Sequence, residues 1–154
     1  MKTRLEDLIK TLKILRDPDG CSWNKEQTHE TLIPYLLEET YEVIEAIENK
    51  DFELLKEELG DLLLHIIFQA ELADEKKHFN IYDTIFNINQ KLINRKPHIF
   101  LNPNDENWKP GKWETAKKIE KKRNSVLEGV PKALPSLTKA RRIQEKAAGV
   151  GFDW

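Results

Sequence analysis

The chain has 154 residues, about the length of one domain, and carries a net charge of −2 with 39% hydrophobic and 34% charged residues. This balance predicts a folded globular protein, and because no apolar run reaches about 18 residues and the N-terminus is charged throughout, we expect neither a membrane-spanning helix nor a secretory signal peptide. The single cysteine, Cys21, excludes an internal disulfide and favours a cytoplasmic location.

Apolar residues recur at helical spacing along nearly the whole chain, and no strand pattern competes with them, so the predicted fold class is all-α. A polar segment at 23–30 and a proline-containing loop at 97–111 interrupt the helices, while Asp51 can cap the helix that follows it. We expect a main domain over residues 1–128 and a basic C-terminal segment over residues 129–154. The predicted helices span residues 5–15, 34–49, 52–74, 81–95, 113–127 and 137–147.

Charge is divided unequally along the chain, because residues 1–80 carry a net charge of −9 and residues 81–154 a net charge of +7. An acidic and a basic half suit a polyanion that is held through metal ions, with basic groups on its far side. Packing of two complementary surfaces explains the same charges at least as well. A nucleic-acid partner is not expected, since proteins that bind duplexes usually carry a basic excess overall.

The predicted helix over residues 52–74 is apolar around most of its circumference, which predicts burial on several sides, in a large core or in an oligomer interface. Glu58 and Asp61 lie in this apolar setting, three residues apart, with His65 beside them. Buried carboxylates are costly unless they pair with a cation or bind a metal. An internal ion pair with Lys or Arg and a metal site are therefore both open, and His65 is typical of an interior histidine.

The preceding helix supplies a second set of carboxylates. On its helical wheel Glu39 and Glu42 lie nearest the apolar stripe, whereas Glu38 and Glu45 point further towards solvent. Because the connection at residues 49–51 is short, the two helices should be antiparallel neighbours, and two i, i+3 pairs of carboxylates can then converge. Oxygen ligands of this kind suit Mg²⁺ or Mn²⁺, and the cysteine and histidines lack the spacing of zinc ligands.

Two acidic motifs and several further segments carry a family resemblance. EETYE at 38–42 and ELGD at 58–61 resemble the EExxE…ExxD signature of the MazG family of nucleoside triphosphate pyrophosphohydrolases. CSWNKEQTHETL at 21–32 is similar to the CPWDxxQTHxSL segment of that family, from which Ser22 and Asn24 depart. Further similarity extends over KLINRKPHIF at 91–100, WETAKKIEK at 113–121 and residues 130–154.

The resemblance implies a MazG-like helical bundle that is completed by dimerisation. It also implies Mg²⁺-dependent cleavage of a (d)NTP between the α and β phosphates, giving a nucleoside monophosphate and pyrophosphate. The implied roles at the acidic positions are metal ligation and, for Glu38, ordering of the site or positioning of water. The implied metal ligands are Glu39, Glu42, Glu58 and Asp61.

Matching positions imply that Lys91 and Arg95 contact phosphate and that Trp113 contacts the nucleotide. The alternatives from the residues themselves are a solvated helix face for Lys91 and Arg95, and core or interface packing for Trp113. Trp23 stands in a polar segment, where it could stack on a base, close a pocket or pack in the core.

Two other functions are consistent with the same residues. One is a relative with a narrower substrate, such as dCTP, dUTP or phosphoribosyl-ATP. The other is a catalytically weak dimerisation or regulatory domain that binds nucleotide. Longer members of the family continue past the GFDW element into a second, similar domain, so the chain corresponds either to the first half of a tandem protein, with residues 129–154 as a linker, or to a short member.

Overall fold

The computed structural model of the chain describes residues 3–101 and 125–152, which form helices and turns with no strand among them. The predicted all-α fold class is confirmed. Two compact units divide the chain, at Met1–Asn87 and Ile88–Trp154, and none of the described helices is long and apolar enough to cross a membrane. The described helices are α1 (Leu5–Arg16), α2 (Ser22–Glu26), α3 (Ile33–Asn49), α4 (Phe52–Glu75), α5 (Ile81–Arg95), α6 (Pro97–Phe100) and α7 (Ser136–Ala148).

The turn between α3 and α4 is built from local backbone chemistry. Lys50 adopts a left-handed conformation with φ of 56°, which ends α3 and reverses the chain. The Asp51 side chain then accepts hydrogen bonds from the backbone N–H groups of Glu53, at 3.1 Å, and Leu54, at 3.0 Å. The predicted cap is confirmed, and α3 and α4 pack as an antiparallel pair.

The helix boundaries agree closely with the sequence pattern, since α1, α3, α4, α5 and α7 each end within one residue of the predicted positions. The prediction of continuous non-helical segments is wrong at two places, where the short helices α2 and α6 form. In α6, Pro97 occupies the first turn, where proline favours a helix start because its missing N–H would have no partner there anyway.

The predicted helix over residues 113–127 lies mostly outside the described residues, and residues 125–127 form a bend and the start of a turn. Trp113 is among the residues that are not described. The predicted division of the chain after residue 128 stays a prediction.

The core of the first unit lies where α1 meets the C-terminal half of α4. Leu12, Leu32 and Ile67 are fully buried there, and the core continues through residues of α4 and the first residue of α5. The further members of this core are Ile9, Phe68, Ala70, Leu72 and Ile81.

Arg16 joins three helices through one buried guanidinium group. Its Nε and Nη2 donate to the two carboxylate oxygens of Glu75 on α4, at 2.5 and 2.8 Å, and its Nη1 donates to the backbone carbonyl of Asn24 on α2. The guanidinium also lies 5.2 Å from the ring centroid of Phe68. These contacts hold α2 against the core and explain why a polar segment of five residues forms a helix.

One face of the α3–α4 pair leaves apolar side chains in contact with water. On α4, Leu59, Leu63 and Ile66 are 40–49% exposed, and Ile44 and Ile47 on α3 are exposed to a similar extent. The predicted burial of α4 on several sides is therefore not achieved within the first unit. Of the two explanations that the sequence left open, a single large core does not account for these residues within the first unit, because they lie outside its core.

Candidate metal centre

Three predicted acidic residues converge where α3 and α4 lie side by side. Glu39 comes from α3, and Glu58 and Asp61 come from one turn of α4. One carboxylate oxygen of each residue lies within 4.8 Å of the others. The i, i+3 spacing places Glu58 and Asp61 on the same face of α4, and the antiparallel packing brings Glu39 opposite them.

Two of the three carboxylates, those of Glu39 and Glu58, are largely shielded from water, whereas that of Asp61 is more exposed. Glu58 is 8% exposed and the side chain of Glu39 is 20% exposed. Among residues 3–101 and 125–152, no Lys or Arg forms an ion pair with Glu58 or Asp61. The interpretation of these carboxylates as an internal ion pair therefore finds no support in this part of the chain.

Burial and mutual repulsion both raise the pKa values of Glu39 and Glu58, which favours the protonated forms of these two residues. Burial, followed by the charges of Asp61 and Glu42, raises the pKa of Glu39 to about 7. Burial also raises the pKa of Glu58, with Glu42 and Asp61 as the next contributions. The charge of Glu42 acts on both Glu39 and Glu58, but Glu42 is not one of the three residues whose carboxylate oxygens lie within 4.8 Å of one another, so its role as a fourth ligand stays a prediction. A hard divalent cation that accepts oxygen ligands would relieve this repulsion, so the donor set fits Mg²⁺.

His65 is a member of this environment whose importance the sequence did not indicate. It is 9% exposed, and its Nε2 lies 4.0 Å from Oε1 of Glu39. Burial lowers the pKa of His65, which favours the neutral ring. Its Nδ1 has no hydrogen-bond partner among the described residues. The only available signal was its position one helical turn after Asp61, which a core histidine would share.

The remaining predicted residues lie at different places. Glu38 is exposed on α3 and belongs to no group of converging acidic residues in the described chain. Lys91 and Arg95 stand four residues apart near the end of α5, in the second unit. Trp23, on α2, is 47% exposed and packs edge-on against Tyr35, with ring centroids 5.8 Å apart, which excludes full burial in the core. The proposed roles of all four stay predictions.

The fold and the acidic site together define the class of protein, which is an all-α protein with a candidate site for a divalent metal ion between two helices. Carboxylates that project from facing helices of a bundle are a recurrent way for all-α proteins to hold divalent metal ions. The chain has this arrangement between α3 and α4, with three converging carboxylates and no Lys or Arg paired with Glu58 or Asp61 within the ranges that the structure covers.

Comparisons with known proteins identify the family within this class. Residues 27–100 match the MazG nucleotide pyrophosphohydrolase domain. The chain is 47% identical over 151 residues to the nucleoside triphosphate pyrophosphohydrolase/pyrophosphatase MazG of Thermotoga maritima, which covers 97% of this chain and 58% of that protein. It is 43% identical over 157 residues to the nucleoside triphosphate pyrophosphohydrolase of Escherichia coli K12, which covers 98% of this chain and 60% of that protein.

A solved structure agrees with these relatives. The crystal structure of a MazG-related protein from Thermotoga maritima superposes with a TM-score of 0.59 and 28% identity, over 77% of this chain and 100% of that chain. The chain belongs to the MazG family through its domain at residues 27–100. It spans about three fifths of the length of the two curated relatives.

Proposed function

We propose that this chain is a Mg²⁺-dependent nucleoside triphosphate pyrophosphohydrolase that cleaves a (d)NTP to a (d)NMP and pyrophosphate. The observation that carries the proposal is the convergence of Glu39, Glu58 and Asp61 without a neutralising Lys or Arg on Glu58 or Asp61 in the described chain. The names of the two curated relatives support the same reaction. In this proposal Mn²⁺ is an alternative ion.

The acidic residues of α3 and α4 have distinct parts in the proposed mechanism. Glu39, Glu58 and Asp61 would hold the ion, with Glu42 as the fourth ligand, and Glu38 would order the site or position water. When bound, Mg²⁺ would offset the negative charge of the triphosphate and lower the pKa of a coordinated water that attacks phosphorus.

The basic and aromatic residues would bind the rest of the substrate. Lys91 and Arg95 share one face of α5 and are proposed to hold the departing pyrophosphate by charge-assisted hydrogen bonds. Trp113 and Trp23 are proposed to contact the nucleotide. No side chain needs to act as a nucleophile, because the oxygen of water would form the new bond to the α-phosphorus while the bond from that phosphorus to the α–β bridging oxygen breaks. The monophosphate would keep the water oxygen, pyrophosphate would leave with the bridging oxygen, and the protons of water would pass to the solvent.

We also propose that the active form is a homodimer. The exposed apolar side chains of α3 and α4 support this, since a second copy that covered Leu59, Leu63 and Ile66 would complete the burial predicted for α4. We propose a cytoplasmic enzyme whose partners are its substrate and its own second copy, without a membrane or a stable nucleic-acid partner. Sedimentation equilibrium would test the dimer directly.

Product analysis tests the reaction. The purified chain is incubated with each NTP and dNTP and Mg²⁺, and released pyrophosphate is measured against released phosphate. Pyrophosphate with an equal amount of monophosphate, abolished by EDTA, is the expected result. Release of phosphate instead would overturn the proposed bond cleavage. A folded dimer that binds nucleotide without turnover would identify the chain as a regulatory domain.

A further inference from the structure

A largely apolar cavity of about 250 Å³ lies in the first unit. Pockets that enclose whole drug-sized ligands begin at about 300 Å³, so this cavity suits one flat ring system rather than a complete nucleotide. Its apolar walls come from α3, from α4 and from the turn before α5. They are formed by Leu36, Ile66, Ala70 and Phe79.

His65 links the cavity to the acidic cluster. The residue lines the cavity, and its Nε2 is 4.0 Å from Oε1 of Glu39. A ligand whose phosphates are held at the acidic cluster through a cation would therefore have this cavity one side chain away. The part of a nucleotide that requires apolar walls is its base, because its ring faces are apolar while its edge carries donors and acceptors.

Gln69 is one of three polar residues that line the cavity, with His65 and Thr84, and its amide is held in one orientation. Its Oε1 lies 2.5 Å from Nδ1 of His29, and its Nε2 donates to the backbone carbonyl of His29 at 3.3 Å. Only the amide nitrogen can donate to a carbonyl, so this pair of contacts distinguishes the two ends of the amide. One N–H and one oxygen lone pair of Gln69 remain for a ligand. The nearby Thr84 hydroxyl donates to the carbonyl of Asn80 at 3.4 Å, which leaves its oxygen able to accept.

We propose that this cavity receives the base of the nucleoside triphosphate, and that the oriented amide of Gln69 pairs with the edge of the base and sets the order of preference among bases. The inference rests on the proposed function, because it assigns a further part of the same substrate. An amide held at both ends discriminates well, since a base with the wrong order of donors and acceptors leaves a polar group unpaired.

The test compares Gln69→Leu with the wild type and with Gln144→Leu, a matched change at an exposed position of α7. The kcat/KM values are measured for ATP, GTP, CTP and UTP with Mg²⁺. We expect Gln69→Leu to lower kcat/KM for the preferred base by about tenfold, mainly through KM, and to compress the differences among the four bases. Gln144→Leu should keep the wild-type order.

A second variant tests the cavity without changing Gln69, so its result depends neither on the hydrogen bonds of that residue nor on how well Gln69→Leu folds. Ala70→Leu would fill the cavity and should raise KM for all four nucleotides by about tenfold or more while kcat changes less. The inference would be overturned if Gln69→Leu kept the wild-type ratios among the four kcat/KM values and Ala70→Leu kept the wild-type KM.

The failure of the inference can be told apart from the failure of the proposed function. If the wild type releases pyrophosphate but neither variant alters base preference or KM, the enzyme assignment stands and the cavity does not hold the base. If Ala70→Leu weakens the dimer without changing KM, a side chain of the second copy fills the cavity instead. If the wild type cleaves none of the four nucleotides, the proposed function fails, and equilibrium binding of the same nucleotides to both variants still tests the cavity.

Discussion

The two halves of α4 belong to one continuous helix but bury different kinds of side chain, apolar in the C-terminal half and polar in the N-terminal half. In residues 67–75 the buried side chains are all apolar, with Ile67, Phe68 and Leu72 packed against α1 and its neighbours. In residues 52–66 the buried side chains are Glu58 and His65, and the apolar residues Leu59 and Leu63 remain exposed.

The contrast shows that one half of α4 contributes mainly to stability and the other half mainly to the candidate metal site. The C-terminal half removes apolar surface from water, which is the main favourable contribution to folding. The N-terminal half places Glu58 and Asp61 beside Glu39 of α3, where burial and then the neighbouring charges raise the pKa of Glu39 to about 7, so this arrangement lowers stability unless a cation is present. Substitutions in the two halves should therefore affect different properties.

The largest effect is expected from Asp61→Asn in the N-terminal half. Loss of one proposed ligand should reduce Mg²⁺-dependent pyrophosphate release by about 100- to 1000-fold, because metal stabilisation of the transition state amounts to several kcal/mol. The free energy of unfolding without metal should stay the same or rise, since one repelling charge is removed. Glu45→Gln, an exposed change on α3, is the matched control. Retention of full activity in Asp61→Asn would mean that the acidic cluster is not catalytic.

The next largest effect is expected when the same substitution, leucine to alanine, is made in each half of α4. Leu72 is 4% exposed and Leu63 is 40% exposed. Leu72→Ala should lower the free energy of unfolding by about 2–5 kcal/mol because it opens a cavity in the core. Leu63→Ala should lower it by about 1 kcal/mol or less in dilute protein. Urea denaturation at several protein concentrations measures both, and equal losses that do not vary with concentration would contradict the division of α4.

A smaller, pH-dependent effect is expected from Glu39→Gln in the presence of EDTA. The pKa of Glu39 is raised from 4.5 to about 7, so between these values the unfolded chain has lost a proton that the folded protein keeps. Wild-type stability therefore falls as pH rises through this window and stays lowered above it. At about pH 8 Glu39→Gln should be more stable than the wild type by about 1–3 kcal/mol, with no gain below about pH 4.5. An equal gain at both pH values would show that the charge of Glu39 is not the cause.

The smallest effect concerns Gly60, which lies between the acidic residues of α4. A Cβ atom placed on Gly60 would meet no atom within 4 Å. Gly60→Ala should therefore stabilise α4 by about 0.5–1 kcal/mol in dilute protein, because alanine loses less backbone freedom in a helix. Thermal unfolding with and without dilution gives the measurement. A loss of stability that grows with protein concentration would show instead that a second copy packs against Gly60.

The sequence by itself determined the five longer described helices and the convergence of Glu39 with Glu58 and Asp61. Helical periodicity, the cap at Asp51 and the short turn after α3 act over a few residues, so they can be read from neighbouring positions. The i, i+3 spacing of Glu58 and Asp61 similarly follows from the pitch of one helix. Because α3 and α4 are joined by a short turn, their antiparallel packing and the approach of Glu39 followed as well.

Only the tertiary structure decided which half of α4 is buried, because both halves are comparably apolar in the sequence. It also decided the formation of α2, which depends on Arg16 and on Glu75, 59 residues further along the chain. The same holds for the amide of Gln69, which is oriented by His29 at a separation of 40 residues. Contacts of this kind leave no periodic signal, since they depend on how separate helices pack and not on the spacing of residues within one of them.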